Sequence, residues 1–178
     1  MAAPSSRRRA CLALALLPLA GAAQAEPPSV YRLGLRFADD SGHSRELAEW
    51  RGRAVILAMA YGACRSLCTT TLRTLEALQA AADAKGVALD FVVVSIDPAE
   101  DTPQAWADFR RARRLTRANW TFLCGGADAT RLLARFIGVR IWRYDEHLMH
   151  DVKVLRLSAD GAIAASLDWH SSEIERLL

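Results

Sequence analysis

The chain has 178 residues, of which 52% are hydrophobic and 24% charged, and this is enough for one globular domain with a sizeable core. Its formal net charge of +3 comes entirely from Arg7, Arg8 and Arg9, because the other 20 basic side chains are matched by 20 acidic ones. This balance excludes the general basic charge of a nucleic-acid-binding protein, and we expect no nucleic-acid partner.

Residues 1–25 are typical of a secretory signal peptide. Three arginines come first, residues 10–20 form a short apolar run, and residues 23–25, Ala-Gln-Ala, have the small-x-small form of a cleavage site. The run is shorter than the about 20 residues that a membrane span needs. We therefore expect cleavage after Ala25 and export to the periplasm or a similar compartment. An uncleaved anchor in the inner membrane is the alternative.

The chain contains four cysteines, and Cys11 lies in the segment that we expect to be removed. An exported protein meets an oxidising compartment, where disulfides persist. Cys64, Cys68 and Cys124 are odd in number and too few for a disulfide scaffold, so at least one thiol is free or functional. Cys124 follows a predicted strand, and we expect a buried single thiol there rather than a ligand.

Strand and helix patterns alternate along the rest of the chain. In chain order they predict strands at residues 31–37, 54–60, 91–96 and 120–123, an extended segment at 139–144, a polar loop at 145–149, and a hairpin of strands at 152–157 and 162–167. Helices are predicted over residues 70–82, after Thr102-Pro103, from the Gly125-Gly126 turn to Gly138, and near the C-terminus, where Ser172 and Glu175 fit a capping box.

This alternation predicts a single α/β domain over residues 29–178, with a central mixed sheet flanked by helices. The continuous apolar runs at 54–60 and 91–96 indicate central strands that are covered on both faces. Residues 1–25 are expected to stand apart from this domain as the signal peptide.

Cys64 and Cys68 lie where the first central strand meets the following helix. The unpaired N–H groups and the dipole of a helix N-terminus favour an anion, and so favour the thiolate that attacks disulfides and binds metals. A spacing of i, i+4 places both sulfurs on one helix face. A dithiol in this position is the thioredoxin-like arrangement.

The spacing of the two cysteines leaves both redox and metal chemistry open. Redox pairs in this fold usually have two intervening residues, and here there are three. A disulfide remains possible, provided that the Cα atoms come within about 7 Å. The wider spacing also suits a metal, and two thiolates select Cu(I) or zinc. Two sulfurs alone leave most metals short of ligands, so a third ligand is expected.

Among the four histidines, His150 is the strongest candidate for that third ligand. It lies in the predicted loop before strand 152–157, and in a thioredoxin-like fold this loop approaches the dithiol. Redox enzymes of the fold carry a cis-proline there, whereas no proline follows Pro103 in this chain. The missing proline and the present histidine favour metal binding.

The remaining polar candidates have simpler interpretations. His147 and Met149 both suit copper, but surface exposure or local packing is favoured for them, and His43 and His170 are expected to be solvated. A local basic cluster is formed by Arg110, Arg111, Arg113, Arg114 and Arg117. A solvated helix face is the favoured interpretation of this cluster, and a docking patch for an acidic partner is the alternative.

Three blocks of sequence occur in a fixed order. They are Tyr61-x-x-Cys64-x-x-x-Cys68, then residues 95–103 (Ser-Ile-Asp-Pro-Ala-Glu-Asp-Thr-Pro), then His150 ahead of Val154-Leu155 and Asp160-Gly161. Together they resemble the Sco/SenC family of copper-binding, thioredoxin-like proteins over nearly the whole chain after residue 25. The family commonly has proline after each cysteine, where this chain has Arg65 and Thr69.

The resemblance implies a periplasmic or membrane-exposed protein that binds a copper ion through Cys64, Cys68 and His150. Family members help to assemble the binuclear copper site of cytochrome c oxidase, as copper donors or as thiol reductants of that site. The expected partners are therefore a cuproenzyme subunit such as that copper-site domain, and another copper chaperone or a thiol reductant.

Two functions from different classes follow. The first is a metallochaperone that holds Cu(I) at Cys64, Cys68 and His150 and passes it on by ligand exchange. The second is an enzyme, a thiol–disulfide oxidoreductase in which Cys64 and Cys68 act as catalytic residues without a metal. His150 discriminates between them, because copper binding needs it and disulfide exchange does not.

Overall fold

The structure, a computed structural model, describes residues 26–62, 67–145, 147–168 and 173–178, with the backbone alone at residues 67–69. The predicted signal peptide, Cys64, His170 and Ser172 lie outside the described residues. No helix in the described part is long and apolar enough to cross a membrane.

Strands and helices alternate through the middle of the chain. The strands are β1 (Arg36–Asp39), β2 (Ser44–Glu46), β3 (Val55–Ala60), β4 (Asp90–Ser95), β5 (Trp120–Gly125), β6 (Ile141–Tyr144), β7 (His147–His150), β8 (Lys153–Leu157) and β9 (Ile163–Asp168). The α-helices are α1 (Leu67–Lys85), α2 (Pro103–Ala112) and α3 (Ala127–Ile137), and short 3₁₀ helices occur at Val30–Arg32, Leu47–Trp50 and Ile174–Leu177.

Seven strands form one sheet in the order β2-β1-β5-β4-β3-β8-β9. The three central strands β3, β4 and β5 are parallel, with α1 and α2 as the crossovers, while β8 and β1 pair antiparallel with β3 and β5. This mixed sheet confirms the predicted α/β class and is a thioredoxin-like fold. The strands β6 and β7 form a separate two-stranded sheet between α3 and β8.

Apolar cores lie on both faces of the sheet. All six residues of β3 and all six of β4 are buried, as their continuous apolar runs predicted. Side chains of α1 and α2, including Leu75 and Trp106, pack on one face, and side chains of α3, including Leu133, pack on the other. The sheet is therefore flanked by helices on both sides.

The predicted helix boundaries are confirmed where the sequence carries capping residues. The Thr102 side chain accepts a hydrogen bond from the Ala105 N–H at 3.1 Å, and Pro103 opens α2. Gly138 ends α3 in the left-handed conformation, with φ of 71°.

Two of the predicted elements are wrong. The predicted strand at 31–37 begins only at Arg36, because the Ser29 side chain caps a 3₁₀ helix and the buried Tyr31 turns inward to the Trp50 carbonyl. The predicted loop at 145–149 is mostly the strand β7, because these residues find an antiparallel partner in β6. His150 is thus the last residue of a strand and not part of a loop.

Candidate metal centre

The predicted site residues differ in what the structure shows of them. His150 is fully described, at the end of β7. Cys68 is the second residue of α1, because this helix begins at Leu67 and not at the predicted residue 70, and its side chain is outside the described atoms. Cys64 lies in the undescribed segment between Gly62 and α1. Within the described residues, no group of three His, Cys, Asp or Glu side chains is placed to hold a metal ion.

His150 is buried and its ring is held in one orientation. The residue is 2% exposed, and its Nδ1 lies 2.9 Å from the carbonyl oxygen of Asp151. A carbonyl can only accept a hydrogen bond, so Nδ1 carries the proton and Nε2 carries the lone pair of the neutral ring. Histidines that bind metals commonly have this arrangement, in which one ring nitrogen donates to a carbonyl and the other coordinates.

Burial also sets the protonation state of this ring. Desolvation lowers the pKa of His150 below its usual 6.5, and the contact with the Asp151 carbonyl and carboxylate opposes this shift more weakly. The neutral imidazole is the form that binds a metal. His150 is therefore in its metal-binding form at neutral pH.

Tyr61 joins β3 to the strand that carries His150. Its hydroxyl donates a hydrogen bond to the Leu148 carbonyl at 2.7 Å, and its ring meets the His150 ring edge to face, with centroids 6.1 Å apart. Tyr61 precedes Cys64 by only three residues. Tyr61, just before the segment of residues 63–68 that contains both cysteines, is thereby held beside the histidine.

A salt bridge to Arg140 holds Asp151, the residue whose carbonyl orients the His150 ring. The Asp151 carboxylate accepts hydrogen bonds from Arg140, from Nε at 2.8 Å, Nη2 at 2.9 Å and the backbone N–H at 3.0 Å. The Asp151 N–H donates in turn to the Arg140 carbonyl at 3.0 Å. These bonds with Arg140 hold the pKa of Asp151 below its usual value. The carbonyl that orients His150 thus belongs to a residue that is itself held in place by Arg140.

Asp101 is a residue near this site to which the sequence analysis assigned no role. It is 4% exposed, and its Oδ1 accepts the Gly62 N–H at 3.0 Å while its Oδ2 accepts the Ser95 hydroxyl at 2.5 Å. Burial raises its pKa, and the two hydrogen bonds oppose that shift. The sequence of residues 95–103 could have indicated this role, because a carboxylate follows the end of a buried strand there.

Cys124 is a buried single thiol, as predicted. It lies in β5 at 7% exposure, with its Sγ 3.6 Å from the Ala38 carbonyl oxygen. Burial, followed by the charge of Asp101, raises the pKa of this thiol. A thiol in such surroundings is unreactive.

The other predicted surface residues are mostly exposed. His147 is exposed, Met149 is half-buried, and the His43 side chain is 76% exposed. Arg110 is an exception to the solvated face predicted for the basic cluster. Its side chain is 18% exposed and pairs with Asp40 at 2.6 Å, because α2 packs against the turn between β1 and β2.

Comparisons with known proteins identify a family that matches this chain and solved structures that are similar to it. The model of the SCO1/SenC family matches residues 26–177. Among solved structures, Arabidopsis thaliana ScoI with copper bound is similar at TM-score 0.70 and 19% identity, over 80% of this chain and 90% of that one. Yeast Sco1 with copper bound is similar at TM-score 0.69 and 16% identity, over 80% and 83%.

A third solved structure, BsSco, is described as a member of the Sco family of cytochrome c oxidase assembly proteins with a disulfide switch. It is similar at TM-score 0.70 and 16% identity, over 85% of this chain and 91% of that one. Identities this low show a shared fold. The search among curated proteins returned no match.

Proposed function

Because the chain belongs to the SCO1/SenC family, we propose that it is a copper metallochaperone that binds Cu(I) through Cys64, Cys68 and His150. The observation that carries this proposal is the state of His150. Its Nδ1–H is directed at the Asp151 carbonyl, which leaves the lone pair on Nε2 of a buried, neutral ring. A histidine prepared in this way fits a metal better than it fits disulfide exchange, which needs no imidazole.

The donor set suits the proposed cargo. Two thiolates and an imidazole are soft and intermediate ligands, the combination that favours Cu(I). Tyr61 supports a single site made of all three, because it contacts His150 and lies just before the cysteine segment. Structures of Arabidopsis ScoI and yeast Sco1 have been solved with copper bound, which agrees with this choice of metal.

Copper would leave the site by ligand exchange. Thiols or imidazoles of the recipient replace Cys64, Cys68 and His150 one at a time, and the ion stays Cu(I) throughout. We propose that the recipient is a cuproenzyme subunit such as the copper-site domain of cytochrome c oxidase, since BsSco is described as belonging to a family of assembly proteins for that enzyme. Another copper chaperone would supply the ion.

The second candidate is a thiol–disulfide oxidoreductase, and the disulfide switch described for BsSco supports keeping it. The Cys64 thiolate would attack one sulfur of a partner disulfide and release the other as a thiolate. Cys68 would then attack the mixed disulfide, so that the partner is reduced and a Cys64–Cys68 disulfide forms. The same pair would accept electrons from a thiol reductant.

The N-terminal sequence supports a proposal on where the protein acts. Residues 1–25 have the pattern of a signal peptide, and we propose that the domain over residues 29–178 works in the periplasm or another exported compartment. If the signal is kept, it anchors the domain to the inner membrane, where a membrane-bound cuproenzyme would be accessible.

A competition titration tests the proposal. The reduced protein is titrated with Cu(I) against a chromophoric chelator, beside a Cys64→Ser/Cys68→Ser variant and His150→Ala. Against a tight chelator, wild type should compete, the double variant should compete far less, and His150→Ala should bind at least about tenfold more weakly than wild type. The matched control is His43→Ala, on an exposed turn, which should bind like wild type. If wild type competes no better than the double variant, the chaperone assignment fails.

A further inference from the structure

The β6–β7 hairpin has two faces of different character. Residues paired across an antiparallel ladder share a face, and neighbours along a strand alternate between faces. The pairs Ile141 with His150 and Arg143 with Leu148 form one face, and Ile141 and Leu148 pack against the core. The pairs Trp142 with Met149 and Tyr144 with His147 form the other face.

This outward face is exposed and holds large side chains. Trp142 is 42% exposed and Tyr144 67%, whereas the core buries most of the other large apolar residues. His147 is exposed and Met149 is half-buried. No hydrogen bond or ion pair engages the His147 ring within the part of the chain that the structure describes. Solvent therefore reaches an imidazole, a thioether and two aromatic rings on one small surface.

The chemistry of these four side chains fits a soft monovalent cation. Imidazole and thioether are both copper ligands, and thioethers select Cu(I). His147 and Met149 are two positions apart on one strand, so their Cα atoms lie about 7 Å apart on the same face. Met149 is directly opposite Trp142, at a Cβ separation of about 5 Å. An ion held between the imidazole and the thioether would thus lie within reach of the indole.

The indole of Trp142 already attracts a cation. The Arg140 guanidinium lies 5.7 Å from the centre of the Trp142 ring. Aromatic faces draw cations to about this distance, and tryptophan does so most strongly. Because two cations at one ring face repel each other, a bound Cu(I) ion would receive this stabilisation from the ring face opposite Arg140.

We propose that His147 and Met149 bind a Cu(I) ion on the outward face of the β6–β7 hairpin, with the Trp142 ring beside the ion. This site is separate from the one proposed at His150, which lies on the inward face of the same hairpin. It has fewer ligands and is open to solvent, so it binds copper more weakly and exchanges it faster. Such a site would take up copper at the surface, one residue along the chain from a buried ligand.

The test removes the inner site first. The full chain with Cys64→Ser/Cys68→Ser is titrated with Cu(I) against a weak chelator, and the fluorescence of the protein is followed. It should bind one equivalent and lose tryptophan emission. Adding Met149→Leu or His147→Gln should weaken binding by about tenfold or more, and Trp142→Leu should remove the fluorescence change. His43→Gln in the same background is the matched control and should change nothing.

His147 and Trp142 are exposed and Met149 is half-buried, so adding their changes to the double serine background should leave its circular dichroism unchanged. The proposal is overturned if the double serine background binds no Cu(I), or if Met149→Leu and His147→Gln bind as well as that background. The proposal is also overturned if Cu(I) binding by the double serine background is lost in His150→Gln but is kept when His147 and Met149 are changed. The double serine background lacks both cysteines of the site proposed at His150. A negative result in this experiment therefore does not contradict the metallochaperone assignment, which the competition titration of the wild type tests separately.

Discussion

The Tyr61 hydroxyl donates a hydrogen bond at 2.7 Å to the carbonyl of Leu148, 87 positions further along the chain, and so ties the end of β3 to the strand that carries His150. The Tyr61 ring also meets the His150 ring edge to face. Tyr61 therefore connects the chain just before the two cysteines to the strand that carries His150.

Tyr61→Phe should destabilise the protein by about 1 kcal/mol, because the Leu148 carbonyl loses its donor while the aromatic packing remains. The affinity for Cu(I) should fall as well, since the hydrogen bond holds Tyr61, three residues before Cys64, at the strand that carries His150. Urea unfolding and chelator competition measure the two effects. Tyr144→Phe removes a hydroxyl from a residue that is 67% exposed and serves as the control. Equal behaviour of the two variants would contradict the linking role of Tyr61.

Asp101→Ala should cost about 2–3 kcal/mol of unfolding free energy, because it leaves the Gly62 N–H and the Ser95 hydroxyl without their buried acceptor. Asp101→Asn keeps an oxygen in place and should cost less. Asp108→Ala, at a side chain that is 55% exposed, should change stability by less than about 0.5 kcal/mol. The three free energies come from chemical unfolding, and a loss in Asp101→Ala as small as that in Asp108→Ala would contradict the assigned contacts.

Arg110→Ala should destabilise the protein by about 2 kcal/mol or more, because it leaves the half-buried Asp40 carboxylate unpaired and removes a hydrogen bond to the Leu115 carbonyl. The neighbouring Arg111 provides a matched comparison. Its pair with Asp108 is exposed and spans only one helical turn, so Arg111→Ala should cost less than about 0.5 kcal/mol. Thermal unfolding of the two variants should separate them clearly, and equal losses would show that Arg110 is as solvated as its neighbour.

The buried neutral His150 should make stability depend on pH. Its folded-state pKa lies below the usual 6.5, so its contribution to stability is present above that value and is lost as the pH falls through the folded-state pKa. Between about pH 7 and about pH 5, the copper-free wild type should therefore lose stability more steeply than His150→Gln. Urea unfolding across this range measures both slopes. Parallel slopes would show that His150 is not desolvated in the folded protein.

Much of the fold could be predicted from the sequence because, for several elements, the residues of one short segment are enough to specify its secondary structure. The continuous apolar runs of β3 and β4 can only be central strands or buried helices, and the turn residues around them decide for strands. Thr102 and Pro103 specify the start of α2 through the cap and the fixed φ of proline.

The β7 strand could not be predicted in this way. Its four residues, His-Leu-Met-His, have no long apolar run and none of the residue types enriched in strands, so their sequence is typical of a polar loop. They become a strand because β6 offers them a ladder, and this depends on how the chain folds back after α3. Strand formation through tertiary pairing leaves little trace in local sequence.

The site was predicted in part for a similar reason. The cysteine spacing and the expected fold indicated His150 as the third ligand, and this assignment stays a prediction, although the residue is buried with its Nδ1 at the Asp151 carbonyl. The contacts of Tyr61 with Leu148 and of Asp101 with Gly62 join residues 87 and 39 positions apart, and no local pattern specifies such partners. Residues that support a site are harder to predict than its ligands, because any polar side chain can fill their role.

X-ray absorption at the copper edge tests the central claim most directly. The reduced protein is loaded with less than one equivalent of Cu(I), so that the tightest site fills first, and is compared with His150→Ala. We expect two sulfur ligands and one imidazole nitrogen in wild type, and loss of the imidazole signal with both sulfurs retained in the variant. A wild-type spectrum without imidazole, or one that His150→Ala leaves unchanged, would contradict the assignment of His150 as the third ligand.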